Sequence, residues 1–497
     1  MKLIKKIATI MFAFMMVVSM SCNVKAVEGA SPETKGTITI TNAKVGETYK
    51  LYKILSLESY SYTGNDKDNG NYAYTLTGDT KWDNFIKTQA TEYFKFDDTN
   101  KYLKWEGATD DARVKEFAQL ALKYARTKSN NVQPLQKVEK TNSSTVKFDN
   151  LDLGYYLVDS SVGSLCVLNT TNPDLKIAEK NGVPSVEKGV SNIQNGTYGT
   201  SNNASIGDTV YFKTTITAQP GAQNYVLHDK MTDGLTFNNK VEVKKGESPV
   251  ATSDYTLKTS GFTDDCTFEI VFGQTFCDGL QKDEKITVTY SAKLNGNAVI
   301  GNDANTNTNK TLLSYGDSQK TTEVTTNTKT FKMDVFKYTE NRTDKTKKDG
   351  LADAVFTLKK DSETNTINFV KEKTDEINGD VYRVAKTGET GAVTTIISPD
   401  SGKFTIKGLS AGTYKLEETK QPAGYNKLSG PVTVVIDNDG NVKVDGTAAN
   451  PVKVENKTGT VLPSTGGAGT TMIYLIGGAL VLGSGVVLAT KRRVKGK

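Results

Sequence analysis

The sequence predicts an all-β chain of tandem β-sandwiches, the first carrying a helical insertion. Runs such as "GTITITNAKVGETYKLYKIL", "IGDTVYFKTTITAQP" and "KITVTYSAKL" alternate apolar with polar residues, as strands with one buried face do. Turn-forming Asn-Gly, Asp-Gly and Gly-rich pairs separate these runs, and Thr and Asn are abundant, a composition common in surface β-domains. Only "DDARVKEFAQLALKYARTKS" breaks the pattern: Val114, Phe117, Ala121 and Tyr124 recur at helical spacing, with Thr109 or Asp110 as N-cap.

The two ends of the chain frame these domains. Lys2, Lys5 and Lys6 precede an apolar run from Ile7 to about Met20, and Val24-Lys25-Ala26 offers a cleavage site. Residues 1–26 therefore read as a secretory signal. Cys22 lacks the aliphatic residue three positions before it that a lipidated cysteine expects. At the other end, residues 471–490 are free of charge and long enough to span a membrane as a helix. Lys491, Arg492, Arg493, Lys495 and Lys497 follow and stop the span on the cytoplasmic side.

Between these ends lie three regions. Residues 27–183 hold the first strands and the helix, and "STVKFDNLDLGYYLVDSS" returns to strands. Residues 184–329 continue in short alternating runs, among them "YVLHDKMTDGLTF", "CTFEIVFG" and "TNTNKTLLSYGD". Residues 330–458 begin with "FKMDVFKYTE" and end with "NPVKVENKTG". The connectors near 181–185 and 325–329 are short.

Charge excludes one class of function. The whole chain has a formal charge of +6, from 62 Lys and Arg against 56 Asp and Glu. Residues 1–26 contribute four Lys, and residues 466–497 contribute five Lys or Arg; neither end has an acid. The region between them has 53 basic and 56 acidic residues, a net charge of −3, and gives no case for nucleic-acid binding. His228 is the only histidine and reads as a strand-end residue; a single histidine rules out most Ser-His and multi-histidine metal chemistry. No phosphate-binding, dinucleotide or calcium-loop motif is present, so no metal or cofactor is expected. Cys266 and Cys277 are near enough in sequence to join neighbouring strands as a disulfide after export, which leaves Cys166 as a free thiol.

Just before the apolar tail stands Leu462-Pro463-Ser464-Thr465-Gly466. LPSTG, an apolar span and a basic end, in that order, resemble a sortase cell-wall sorting signal over residues 459–497. The resemblance implies that a sortase cysteine cleaves between Thr465 and Gly466 and passes Thr465 to an amine.

The region 330–458 resembles the collagen-binding-protein B-type domain of Gram-positive surface proteins, carried by "LEETKQPAGY". There a first-strand lysine, a last-strand asparagine and an intervening glutamate form an intramolecular isopeptide bond; the matching residues are Lys337, Asn456 and Glu418. The chemistry suits these residue types. Burial lowers the pKa of a lysine amine and so favours the nucleophilic neutral form. A buried carboxyl kept protonated polarises the amide carbonyl, and ammonia leaves.

Region 184–329 resembles the A-type version of the same domain, with Lys188 in "PSVEKGV" and Asp229 in "YVLHDKM". The acceptor lies in "NTNTNKTLLSYGD": aligning the Leu-x-Tyr end selects Asn309, with Asn305 and Asn307 on the same face of the strand.

Together the three regions resemble the major, shaft-forming subunit of sortase-assembled pili, with immunoglobulin-like domains of the collagen-binding-protein A and B types. That resemblance implies a structural subunit with no enzymatic activity. Its partners are sortase, identical subunits, minor pilins, peptidoglycan and a possible host surface ligand. The lysine that joins the next subunit matches Lys180 in "LKIAEKNGVPSVEK", with Lys176 as the reserve. A wall-anchored monomeric adhesin with the same fold is the alternative, and it needs no acceptor lysine.

Overall fold

The computed structural model describes residues 35–61, 71–97, 101–107, 111–167, 174–179, 181–219, 221–301, 307–374, 379–458 and 468–494. The signal segment, the LPSTG segment, Lys180 and Asn305 lie outside the described residues. The chain divides into two compact units, residues 1–331 with 408–410, and residues 332–407 with 411–497.

The first unit holds two of the expected regions. Gly36–Thr41 pairs in parallel with Asp174–Ala178 and antiparallel with Thr145–Leu151. The long strand Tyr49–Ser61 is the centre of a larger sheet, beside Gly154–Ser160 and Asn71–Thr75. One core lies between these sheets and includes Ile38, Ile40, Tyr49, Phe148 and Tyr156. A second core packs the expected helix, Asp111–Arg126, through buried Phe117, Ala121 and Tyr124. Val114, the first residue of that pattern, is only half buried.

A further helix, Thr80–Thr88, was not legible from periodicity. Asp79 caps it, accepting from the backbone N–H groups of Lys81 and Trp82 at 2.8 and 3.2 Å. Trp82, Phe85 and Ile86 bury its inner face against Tyr52, Phe117 and Tyr124. Its nine residues are too few for a periodic pattern to stand out from a strand's.

The remaining strands of this unit form a sandwich. A five-stranded sheet runs Ser185–Ser191, Thr209–Thr217, Lys285–Leu294, Leu235–Lys245 and Ser248–Pro249. The facing sheet has Val226–Met231 between Asn307–Tyr315 and Phe268–Phe272. Strict alternation in Thr209–Thr217 and Lys285–Leu294 buries Val210, Phe212, Ile216, Ile286, Val288, Tyr290 and Ala292.

A polar seam ties this sandwich to the first one. The Tyr315 hydroxyl donates to Glu47 Oε1 at 2.7 Å, and Ser161 Oγ donates to Glu47 Oε2. Gln319 Nε2 donates to Thr48 Oγ1 at 3.3 Å, and Lys50 pairs with Asp317. Glu47 is 3% exposed, so its oxygens depend on these donors in place of water.

The second unit is a sandwich of two six-stranded sheets. Phe331–Glu340 lies between Lys348–Gly350 and Lys403–Leu409 in one, and pairs in parallel with Val452–Glu455 near the end of the domain. Gly412–Lys420 lies between Val355–Lys360 and Val432–Ile436 in the other. After this domain the helix Ala468–Val494 covers the apolar segment 471–490. Side chains are described there for residues 474–487, and among the described residues no helix is long and apolar enough to cross a membrane.

The polar seam generates a prediction. Tyr315→Phe removes the donor on Glu47 Oε1 while keeping the ring, and destabilises the first unit by about 1–3 kcal/mol. Urea unfolding of the purified mature subunit reads this, and an unchanged midpoint would show that the seam carries no stability.

Candidate functional site

Each sandwich of the two resembling regions holds a lysine, an acid and an asparagine in its apolar interior. In the first unit Lys188 stands on Ser185–Ser191, opposite Thr214 in its own sheet. Alternation sends its side chain inward, where it is fully buried. Asp229 and Asn309 come from adjacent strands of the facing sheet, with Asp229 opposite Thr311 and Asn309 opposite Met231. Residues two apart on a strand share a face, so Asp229 and Asn309 are diagonal neighbours.

The groups meet across the sandwich. Lys188 Nζ lies 2.5 Å from Asp229 Oδ2. The Tyr290 hydroxyl touches both Lys188 Nζ and Asp229 Oδ2, and accepts from Asn309 Nδ2 at 3.3 Å. The Phe212 and Tyr290 rings flank the amine, with Nζ 5.6 and 5.1 Å from their centroids. Asp229 Oδ1 and Asn309 Oδ1 are buried without a hydrogen-bond partner.

Desolvation sets the charge states. Burial lowers the Lys188 pKa, and it raises that of Asp229. Burial likewise pushes the Tyr290 hydroxyl well above its ordinary value, so it stays protonated. The neutral forms, amine and carboxylic acid, are those that an amide exchange needs.

Asn307 has other work. Its Oδ1 accepts from Val299 N–H at 2.9 Å, while its Nδ2 donates to the carbonyls of Val299 and Thr328 at 3.0 and 2.9 Å. Of the two described asparagines in this strand, Asn309 is the one brought to Tyr290 and Asp229.

The second unit repeats the arrangement with different connectivity. Lys337 lies opposite Val454 in the parallel pair Phe331–Glu340 and Val452–Glu455, and Asn456 follows the end of that last strand. Glu418 comes from Gly412–Lys420 in the facing sheet. Lys337 Nζ is 3.3 Å from Glu418 Oε1 and donates to the Val454 carbonyl at 3.4 Å. Asn456 Nδ2 donates to Glu418 Oε2 at 3.1 Å, and to the Asn426 carbonyl. The "PAGYN" turn adds Leu428 N–H, donating to Glu418 Oε2 at 2.9 Å. Lys337 is completely buried, Glu418 and Asn456 are each 1% exposed, and burial lowers the Lys337 pKa.

One expectation differs in orientation. The acid was expected on the amide carbonyl, whereas the Asn456 NH₂ group faces Glu418, leaving Oδ1 buried without a partner. The Asn426 carbonyl accepts from the same nitrogen and holds it there. A half-turn of the terminal amide exchanges O for N and presents the carbonyl to the acid.

The remaining sequence expectations divide. His228 is not at a strand end: it is the third residue of Val226–Met231, opposite Glu269. Cys266 and Cys277 are free thiols. Cys266 precedes the strand Phe268–Phe272, and Cys277 lies on the short helix Gln274–Asp278 beyond it. A five-residue strand covers roughly 17 Å, far more than the 7 Å a disulfide can bridge between α-carbons. Lys176 is exposed on Asp174–Ala178. On either side of Lys180, Glu179 and Asn181 are each 3% exposed. The Glu179 carboxylate accepts from Asn181 N–H at 2.8 Å and from Ser160 Oγ at 3.1 Å. Tyr290 was missed, although it is the one hydroxyl-bearing side chain among the inward positions of "KITVTYSAKL".

Three segments of the chain match known family models. Residues 206–320 match the family model of the Gram-positive pilin backbone subunit 2, Cna-B-like domain. Residues 336–450 match the SpaA prealbumin-like fold domain, and residues 454–495 match the LPXTG cell wall anchor motif. No curated protein sequence matches the chain. Among solved structures, a backbone pilin of Streptococcus pyogenes is similar at 16% identity and a TM-score of 0.48, over 82% of this chain and 81% of that one. The major pilin SpaA of Corynebacterium diphtheriae is similar at 16% identity and a TM-score of 0.45, over 85% of this chain and 100% of that one. The full-length RrgB pilus protein of Streptococcus pneumoniae shows 15% identity and a TM-score of 0.44, over 88% and 100% respectively.

The matched domains make this chain a tandem-sandwich surface protein with a wall anchor. Residues 206–320 thus carry a Gram-positive pilin backbone domain, and the chain is a secreted, cell-wall-anchored structural subunit of a pilus.

The buried lysine generates a pH prediction. In an Asn456→Ala variant no bond can form, and Lys337 stays a free amine. Its folded-state pKa is depressed, so the unfolded chain binds the extra proton. Stability therefore rises with pH, from the depressed value up to the ordinary lysine value of 10.5. Urea midpoints across that window should climb, whereas Asn456→Ala with Lys337→Met should lack this increment; matching slopes would show that Lys337 is charged when folded.

Proposed function

We propose that sortase joins Thr465 of one subunit to Lys180 of the next, building a covalent fibre for adhesion whose domains are each locked by an internal isopeptide bond. The observation that carries this reading is the pair of buried lysine, acid and asparagine triads, each spanning two sheets. In each, lysine Nζ attacks the asparagine Cγ. The new C–N bond forms, the Cγ–Nδ2 bond breaks, and the amide nitrogen takes one proton from the lysine amine and leaves as ammonia. In the first unit Asp229, kept protonated by burial, donates to the amide oxygen as charge develops on it, and Glu418 occupies the corresponding place in the second. Folding itself supplies proximity, since the reactants are fixed before reaction.

The anchor motif at residues 454–495 supports the second half of the reading. Before cleavage, segment 471–490 holds the subunit beside a membrane-bound sortase. The Thr465 acyl group then passes to the amine of Lys180, or to a peptidoglycan amine for the last subunit. Minor pilins join by the same exchange, and a host surface ligand is met along the fibre. A donor at one end and an acceptor elsewhere make a heterologous contact that does not close, which yields a filament.

Asp229→Ala and Glu418→Ala each remove one internal bond without unfolding the domain. By the entropy of a closed loop of over a hundred residues, each loss lowers stability by about 5 kcal/mol. Peptide mapping that still finds the bond in either variant would reject that acid's role. Lys180→Ala keeps both internal bonds and wall anchoring, and changes stability by no more than about 0.5 kcal/mol. It removes the high-mass ladder from boiled wall extracts. A normal ladder moves the acceptor to Lys176 or elsewhere, and wild-type chain found only as monomer supports the adhesin alternative.

A further inference from the structure

Strand alternation places His228 on the face opposite to Asp229, so it points away from the cross-link. It does not point there alone. His228 Nδ1 lies 3.0 Å from Asp264 Oδ2, 3.2 Å from Glu269 Oε1 and 3.6 Å from Cys266 Sγ. One ligand-type atom from each of these four residues lies within 4.8 Å of all the others. Glu269 is the direct cross-strand partner of His228 and is 8% exposed, while Asp264 and Cys266 approach from the segment entering the same strand.

We propose that this cluster is a binding site for one zinc-class divalent transition-metal ion. The first argument is separation. In a tetrahedral site with bonds of about 2.0 Å to N or O and 2.3 Å to S, ligand atoms sit roughly 3.3–3.6 Å apart, close to the distances around Nδ1. The second argument is the tautomer. His228 Nε2 is 3.0 Å from Ser314 Oγ, and the Ser314 hydroxyl donates to the Val226 carbonyl at 3.4 Å. In the tautomer in which Ser314 Oγ accepts Nε2–H, the lone pair of Nδ1 faces two carboxylate oxygens. Acceptors converging on one point call for a positive centre between them.

The third argument selects the ion. Lys258 Nζ reaches Glu269 Oε2 only at 4.0 Å, leaving Oε1 directed at His228. Cys266 N–H donates to Asp264 Oδ1 at 3.3 Å, which turns Oδ2 inward. A thiol, an imidazole and two carboxylates form a borderline-soft set that favours zinc or cobalt over calcium or magnesium. On binding, the metal replaces the Cys266 thiol proton, which leaves to solvent. The ion clasps residues 264–269 to the strand that carries Asp229.

The site escaped the sequence reading because that reading excluded multi-histidine chemistry, and this site needs one histidine. The test uses the purified mature subunit, stripped with chelator and titrated with Zn²⁺ or Co²⁺ in the presence of excess Ca²⁺. The expected result is one zinc per chain at micromolar affinity or tighter, and a cobalt–thiolate charge-transfer band. His228→Ala and Asp264→Asn weaken binding at least about tenfold. Cys266→Ser abolishes the band, whereas Cys166→Ser and Cys277→Ser keep it. Circular dichroism confirms folding of each variant; should His228→Ala misfold, the exposed-site variant Asp264→Asn decides alone. Absence of stoichiometric zinc in the wild type, displacement by Ca²⁺, or an unchanged band in Cys266→Ser overturns the proposal.

Discussion

A lysine amine buried between two sheets governs the rest of this structure. Taking an ammonium out of water is costly, and an isolated charge in an apolar interior is not sustained. Lys188 sits among Phe212, Tyr290 and Asp229, and Lys337 is completely buried beside Glu418. Each arrangement lowers the cost in two ways. The amine is pushed toward neutrality, and a buried acid lies against it. An asparagine completes the set, so that the neutral amine can be consumed as an amide. In the proposed reaction, a feature that is a liability in a non-covalent core becomes the reactant that removes the liability.

The surrounding topology follows from where the reactants must be. In the second unit, the lysine strand and the last strand pair in parallel, so one bond near their ends encloses nearly the whole domain. In the first unit, Lys188 and Asn309 stand on opposite sheets, and a bond between them ties the sandwich across its core. Both proposed closures would bypass hydrogen-bonded strands that otherwise carry tension. A cell-wall-anchored pilus subunit is loaded along its chain, and the proposed bonds would shorten the path that load takes.

Much of this was legible in the sequence because it rests on short-range pattern. Alternation located the strands, helical spacing located Phe117, Ala121 and Tyr124, and the "LEETKQPAGY" stretch marked Glu418. What was not legible depends on the third dimension. The helix Thr80–Thr88 is held by tertiary packing of Trp82 and Phe85. Tyr290 reads as one more strand aromatic until the facing sheet brings Asp229 to it. Asn307 and Asn309 share a strand face, and only their partners separate them. Cys266 and Cys277 are close in sequence, yet a strand divides them. The polar seam of Glu47 and Tyr315 joins residues 268 positions apart, beyond the reach of any local pattern.

The central claim is that folding converts each buried triad into an amide. High-resolution intact mass of the mature subunit, purified without sortase, tests it most directly, with protease mapping to locate the joined residues. The account predicts a mass lower than that of the sequence by two molecules of ammonia, with branched peptides linking Lys188 to Asn309 and Lys337 to Asn456. A mass equal to that of the unmodified sequence contradicts it.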